Sequence, residues 1–178
     1  MEALYSGAAQ VYLGSQATEE KAKALGEQGS LIHFACHGLA DEASPLDSSL
    51  ALTVPARWQS GRDNGLLQAW EIFEQVRIDA DLVTLSACRT AVGKEMSGEG
   101  VLGLTRAFQY AGARSVLASL WNVSDESTGE LMKRFYRHLR QGRSKDVALQ
   151  LAQVEMIRRP ALSHPYRWAA FQLAGDWQ

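Results

Sequence analysis

Four short runs in this chain are apolar almost from end to end: Leu31–Cys36 (LIHFAC), Asp81–Ala87 (DLVTLSA), Ser115–Leu120 (SVLASL) and Trp168–Leu173 (WAAFQL). Runs of this length without polar alternation belong to strands covered on both faces, which is how the central strands of a helix-flanked sheet read. The stretches between them carry helical periodicity. Val101, Leu104, Thr105 and Phe108 recur at i, i+3, i+4 and i+7, with Gly112 beyond the end. Leu131, Phe135 and Leu139 stripe a helix that Ser124 caps and Gly142 ends, and Val147, Leu151 and Val154 stripe another between Ser144 and Pro160. Two helices so close in sequence predict an αα-hairpin packed on the sheet. Shorter helices are expected from Glu19 to about Leu25, behind Thr18, and over Leu66–Gln75, with short strands at Val11–Leu13 and Ser49–Thr53. The alternation defines an α/β fold with a mostly parallel central sheet flanked by helices.

At 178 residues the chain fits one domain spanning 1–178, and 46% hydrophobic residues supply its core. The net charge is −2, and the basic residues between Arg134 and Arg159 fall at helical spacing among Glu, Asp and Gln, as on a solvated helix face. A nucleic-acid partner needs concentrated positive charge, so none is expected. No apolar run approaches the roughly 18 residues of a membrane span, and no membrane partner is expected. Met1–Gln10 lacks the basic and apolar regions of a secretory signal. Cys36 and Cys88 are therefore expected as free thiols in the cytoplasm.

Ligands of open α/β sheets bind outside the carboxyl ends of the strands. Two chemically capable residues stand there: His37, after LIHFAC, and Cys88, after DLVTLSA. Neighbouring parallel strands would bring them side by side, although roughly fifty residues separate them. A thiol beside an imidazole is the equipment of nucleophilic catalysis, because the base takes the thiol proton and the imidazolium holds the thiolate. Gly38 follows His37, and its N–H together with that of Cys88 would form an oxyanion hole. Each residue alone reads more readily as structural; the joint placement leaves the structural and catalytic readings evenly balanced. Strand alternation turns Cys36 away from His37 and separates it from His33, so His33, Cys36 and His37 do not form a metal cluster, and no metal or cofactor is expected.

The segments IHFACHG (32–38) and DLVTLSACRTAVG (81–93) resemble the histidine and cysteine motifs of the CHAT-domain family, caspase-like proteases often fused to tetratricopeptide repeats. GEGVLGLTRAFQYAGARSVLASLWNVSDEST (98–128), FYRHL (135–139) and HPYRWAAFQLAGDW (164–177) resemble its later segments, in the same order. The resemblance implies a caspase/haemoglobinase sheet, a His37–Cys88 dyad and peptide-bond hydrolysis through a thioester, with a protein or peptide as substrate. It also implies a further strand and helix before the point where this chain starts, and a regulatory tetratricopeptide-repeat (TPR) or other sensor region before those. The chain is therefore expected to lack the fold's first strand, with Met1–Gln10 as the tail of the preceding helix.

The caspase signature Q-A-C-[RQG]-G is matched at Ala87, Cys88 and Arg89 and departs at Ser86 and Thr90. Ser86, Trp121 and Asp125 are the candidates for the substrate pocket. The departure at Ser86 removes the expectation of caspase-type aspartate specificity. Asp125 and Glu126 read as first-turn helix charges rather than as the acid that holds a basic P1 residue in related separases. Three rivals remain. One is a catalytically silent CHAT scaffold that binds partners, and another a small-molecule thiol hydrolase. The third, a dinucleotide binder, is disfavoured because Gly98, Gly100 and Gly103 follow a polar loop rather than a strand.

Overall fold

The computed structural model describes residues 8–26, 31–55, 63–86, 88–89 and 99–178, with the backbone alone at 88–89. In chain order its elements are α1 (Glu19–Lys23), β1 (Leu31–Phe34), β2 (His37–Leu39), β3 (Ser49–Ala51), β4 (Leu66–Gln68), α2 (Ala69–Gln75), β5 (Leu82–Leu85), β6 (Cys88–Arg89), α3 (Glu99–Ala111), β7 (Ser115–Ser119), α4 (Asp125–Arg140), α5 (Lys145–Ile157) and β8 (Phe171–Gly175). The main sheet runs β1-β5-β7-β8, and β4-β3-β2-β6 form a second, smaller sheet. In the main sheet β1, β5 and β7 are parallel, and β8 closes the edge antiparallel to β7.

Every residue of β5 and β7 is buried, as their unbroken apolar runs require. Alternation sorts these side chains between two helical layers. Ile32, Phe34, Val83, Leu85, Val116 and Ala118 join one core with Ile72 of α2 and Leu104 and Phe108 of α3. Leu82 and Leu117 turn to the other side, where Leu131, Phe135 and Tyr136 of α4 and Ala152 and Met156 of α5 receive them. The predicted αα-hairpin is therefore present. Buried Arg134 helps lock it by pairing with Glu130 on α4 and with Glu155 on α5 at 3.5 Å.

Four expectations change in position or kind. The run Leu31–Cys36 is a strand only as far as Phe34 in the main sheet; a separate strand, β2, begins at His37 and enters the smaller sheet. Leu66–Gln75 is a strand followed by a helix: Leu66–Gln68 pair with β3, and Glu71 Oε2 then accepts the Gln68 N–H at 2.9 Å to start α2. Val11–Leu13 is not a strand; its side chains are exposed and no ladder partner is present among the described residues. The last strand begins at Phe171 rather than Trp168, since the N–H groups of Trp168 and Ala169 donate back to Pro165 O and prolong the 3-10 turn Pro165–Arg167. The loop expected over Arg89–Gly98 lies outside the described residues apart from Arg89, and so do residues 56–62 of the loop at Val54–Gly65 and residues 1–7 of Met1–Gln10.

A cluster of polar contacts braces the smaller sheet. Lys23 of α1 pairs with Glu19 at 2.6 Å, Glu71 at 2.8 Å and Asp63 at 2.9 Å, while Glu19 Oε2 accepts the N–H groups of Asn64 and Gly65. Glu19 is 1% exposed. Burial pushes its carboxyl up, and the Lys23 ammonium opposes that shift.

Helix α3 reaches the turn after β2 through two glycines. A Cβ on Gly103 would stand 2.5 Å from the Pro45 carbonyl oxygen, and one on Gly100 2.8 Å from Ser48 Oγ. Alanine is intrinsically the better helix residue by about 1 kcal/mol. Overpacking against backbone costs typically 1–3 kcal/mol and outweighs that gain. Gly103→Ala is therefore expected to lower stability by about 1 kcal/mol or more in urea unfolding; a stabilised variant would mean that α3 does not seat on this turn.

Candidate active site

The carboxyl ends of β1 and β5 point toward one edge of the molecule, where the smaller sheet continues them. Phe34 of β1 is registered with Leu85 of β5, and beyond them His37 of β2 is registered with Cys88 of β6, at the same offset and again in parallel. The expected meeting of His37 and Cys88 is thus present at the level of the backbone: they occupy one register position on adjacent strands, whose axes lie about 4.8 Å apart. His37 is exposed.

Gly38 is buried in the middle of β2, between Leu50 of β3 and Arg89 of β6. It lines a small, partly open apolar cavity of about 20 Å³ with Leu50, Leu85, Leu104 and Ala118. Such a space is near the minimum for one water molecule and has few polar partners to offer it. The turn after β2 is held from within and from α3. Asp41 Oδ1 accepts the N–H groups of Ala43 and Ser44 at 2.9 Å each, and Ser48 Oγ accepts that of Asp41. Glu42 Oε2 accepts the Glu99 N–H at 3.1 Å, placing a carboxylate at the positive end of α3. Nothing in the sequence spacing marks Glu42 for this task, because the contact joins residues far apart in the chain.

Of the pocket candidates, Ser86 and Trp121 stand at the ends of neighbouring strands. Ser86 immediately follows β5, and its N–H donates to Phe34 O at 3.1 Å. Trp121 lies just beyond β7; Ser119 Oγ donates to its carbonyl at 2.6 Å, and its indole donates to Tyr166 O at 3.1 Å. The Trp121 and Tyr166 rings are 6.3 Å apart. Asp125 opens the first turn of α4 behind the Ser124 N-cap, in keeping with a helix-terminal charge.

The two other residues weighed for metal binding part company for a different reason from simple alternation along one strand. His33 belongs to β1 and His37 to β2, with the strand break between them. Cys36 packs against the α2–α3 core, and burial pushes its thiol up to about 11. The importance of His33, like that of Glu42, is not announced by the spacing. Its Nε2 lies 2.5 Å from Ser86 Oγ, its ring stacks on Tyr136 with centroids 5.6 Å apart, and Tyr136 donates to Thr84 Oγ1 at 2.8 Å. Its Nδ1 is closed to solvent.

His37 and Cys88 thus open two adjacent parallel strands just beyond the carboxyl ends of β1 and β5, in a helix-flanked α/β fold. The family model for the CHAT domain matches residues 1–176, and the chain belongs to that family. Tetratricopeptide repeat protein 28 of Mus musculus is 29% identical over 195 residues, which cover 94% of this chain and 8% of that protein. The Homo sapiens protein of the same name aligns with the same identity and coverage. The chain therefore spans 8% of the length of these curated relatives.

Burial pushes the His33 imidazole down to about 4. The unfolded chain, with an ordinary histidine near 6.5, takes up a proton before the folded one does. Stability contributed by neutral His33 is therefore full above about pH 6.5 and is lost as the pH falls toward 4. Between pH 7 and pH 5 the loss from this residue is about 2 kcal/mol. Urea unfolding at the two pH values is expected to show that difference between the wild-type chain and His33→Gln; equal slopes would rule it out.

Proposed function

We propose that this chain is a cysteine endopeptidase with the caspase/haemoglobinase arrangement, in which Cys88 is the nucleophile and His37 the general base and acid. The observation that carries the reading is the parallel register of His37 with Cys88. Residues opposite one another on parallel strands share a face, and a thiol paired with an imidazole is what nucleophilic catalysis by cysteine requires. The proposed site lies at the carboxyl ends of the strands, where α/β sheets take their ligands.

The reaction follows from those two groups. His37 accepts the Cys88 thiol proton, and the thiolate attacks the scissile carbonyl carbon. The tetrahedral oxyanion collapses as His37 returns the proton to the departing amine nitrogen, leaving a thioester on Cys88. Water, deprotonated by His37, attacks the thioester carbonyl and releases the carboxylic acid, and the thiol is regenerated. Ser86 and Trp121 flank the place where a substrate side chain would enter. The residues 1–178 act in this reading as one domain of a longer protein. Its relatives' name supports a tetratricopeptide-repeat region as the regulatory partner.

Cys88→Ala is expected to abolish peptide cleavage, and His37→Ala to reduce it by at least a hundred-fold, on the scale of losing a general base. Both variants should retain the wild-type circular dichroism. Cys36→Ser should leave turnover nearly intact, and an electrophilic peptide probe should modify Cys88 well before Cys36, whose thiol burial keeps protonated. Turnover that survives Cys88→Ala would overturn the dyad. A folded protein with no turnover on any peptide would leave the partner-binding scaffold as the function.

Asp125 sits in a helix's first turn, so a positional-scanning peptide library should show no strict demand for Lys or Arg at P1. Dominance of basic P1 residues, lost in Asp125→Ala, would contradict this.

A further inference from the structure

His33 and Ser86 form a cross-strand clamp just ahead of the proposed nucleophile. Ser86 is tied to β1 three times: its N–H donates to Phe34 O at 3.1 Å, its hydroxyl lies 3.4 Å from the same oxygen, and His33 Nε2 stands 2.5 Å from that hydroxyl. These contacts define one proton arrangement. A neutral imidazole carries a single N–H, and a buried N–H without an acceptor is rarer and costlier than an unused lone pair. The proton therefore belongs on Nε2, which donates to Ser86 Oγ, and the Ser86 hydroxyl donates onward to Phe34 O. Nδ1, which has no partner among the described residues, is then a lone pair.

The ring is also held from its face. Tyr136 of α4 stacks on it and at the same time donates to Thr84, the residue registered with His33 across the β1–β5 ladder. Helix α4, strand β1 and the end of β5 thus meet at one imidazole. The chain runs from Ser86 to Cys88 in two residues, so any freedom at Ser86 is passed on to the nucleophile.

We propose that His33 is a positioning residue: through Ser86 it fixes the end of β5 and so sets the place of Cys88 relative to His37. This rests on the dyad reading above. A misplacement of about 1 Å in an active site costs on the order of a hundred-fold in rate. Loss of the His33 side chain should therefore lower kcat by roughly ten- to a hundred-fold while KM stays within about two-fold, because His33 reaches the site only through Ser86.

The test compares wild type with His33→Leu, Ser86→Ala and His33→Gln, whose side-chain amide can place a donor near the position of Nε2. Three quantities are read: kcat and KM on a cleaved peptide, the rate of iodoacetamide alkylation of Cys88 by peptide mapping with Cys36 as internal reference, and the melting temperature. The proposal expects His33→Leu and Ser86→Ala to slow both kcat and Cys88 alkylation, with Cys36 unaffected, and His33→Gln to recover most of the loss. Recovery by glutamine would not occur if His33 served only to fill space.

Unchanged Cys88 alkylation in Ser86→Ala, or losses that follow the melting temperature without rescue by glutamine, would overturn it. Should His33→Leu not fold, Ser86→Ala and His33→Gln decide. Alkylation separates this outcome from the fate of the protease reading. If the wild type cleaves no peptide yet Cys88 reactivity depends on His33, the clamp stands and the peptidase falls. If Cys88-dependent cleavage persists unchanged in all three variants, the peptidase stands and the clamp falls.

Discussion

Everything at the proposed site depends on the register of one parallel ladder. Leu31–Phe34 pair residue for residue with Leu82–Leu85, and the same offset carries beyond the ladder to His37 and Cys88. A slip of one residue would exchange the faces of β5, sending Leu82 toward α2 and α3 and Val83 and Leu85 toward α4 and α5. Both layers are closely packed, so neither would accept the exchanged set without loss. The position of two chemically capable residues is therefore set by the shapes of apolar side chains that never meet a substrate.

Around that ladder, polar contacts hold what the apolar core does not reach. The small sheet has only short strands, and two-stranded ribbons of this size are marginal by themselves. The Lys23 cluster anchors α1 to the β4–α2 junction, Glu42 ties the turn after β2 to the start of α3, and Gly100 and Gly103 let that helix approach the turn closely. His33 does the corresponding work on the opposite face, between β1, the end of β5 and α4. These contacts frame the His37–Cys88 position from both helical layers.

Much of this was legible from local pattern. The buried runs at Leu82–Leu85 and Ser115–Ser119 announce central strands, and the stripes of α3, α4 and α5 announce the helices and their faces. His37 and Cys88 were legible as strand-end residues. The misreadings share one cause, which is that a short apolar run does not state its partner. Leu66–Gln68 reads as the start of a helix until β3 supplies a strand to pair with. Trp168 and Val11–Leu13 look like strand residues although no ladder among the described residues receives them. The strand break after Phe34 is likewise silent in LIHFAC, because it marks where the chain leaves one sheet for another.

The sequence by itself determined the α/β class, the order of the main strands and helices, and the two residues proposed for the dyad, since periodicity and residue type are local properties. Only the tertiary structure decided that His37 and Cys88 share a register position, that Ser86 is bound to His33, and that Glu42 caps α3. Those are pairings between residues distant in the chain, and the geometry that selects them exists only once both helical layers have closed on the sheet.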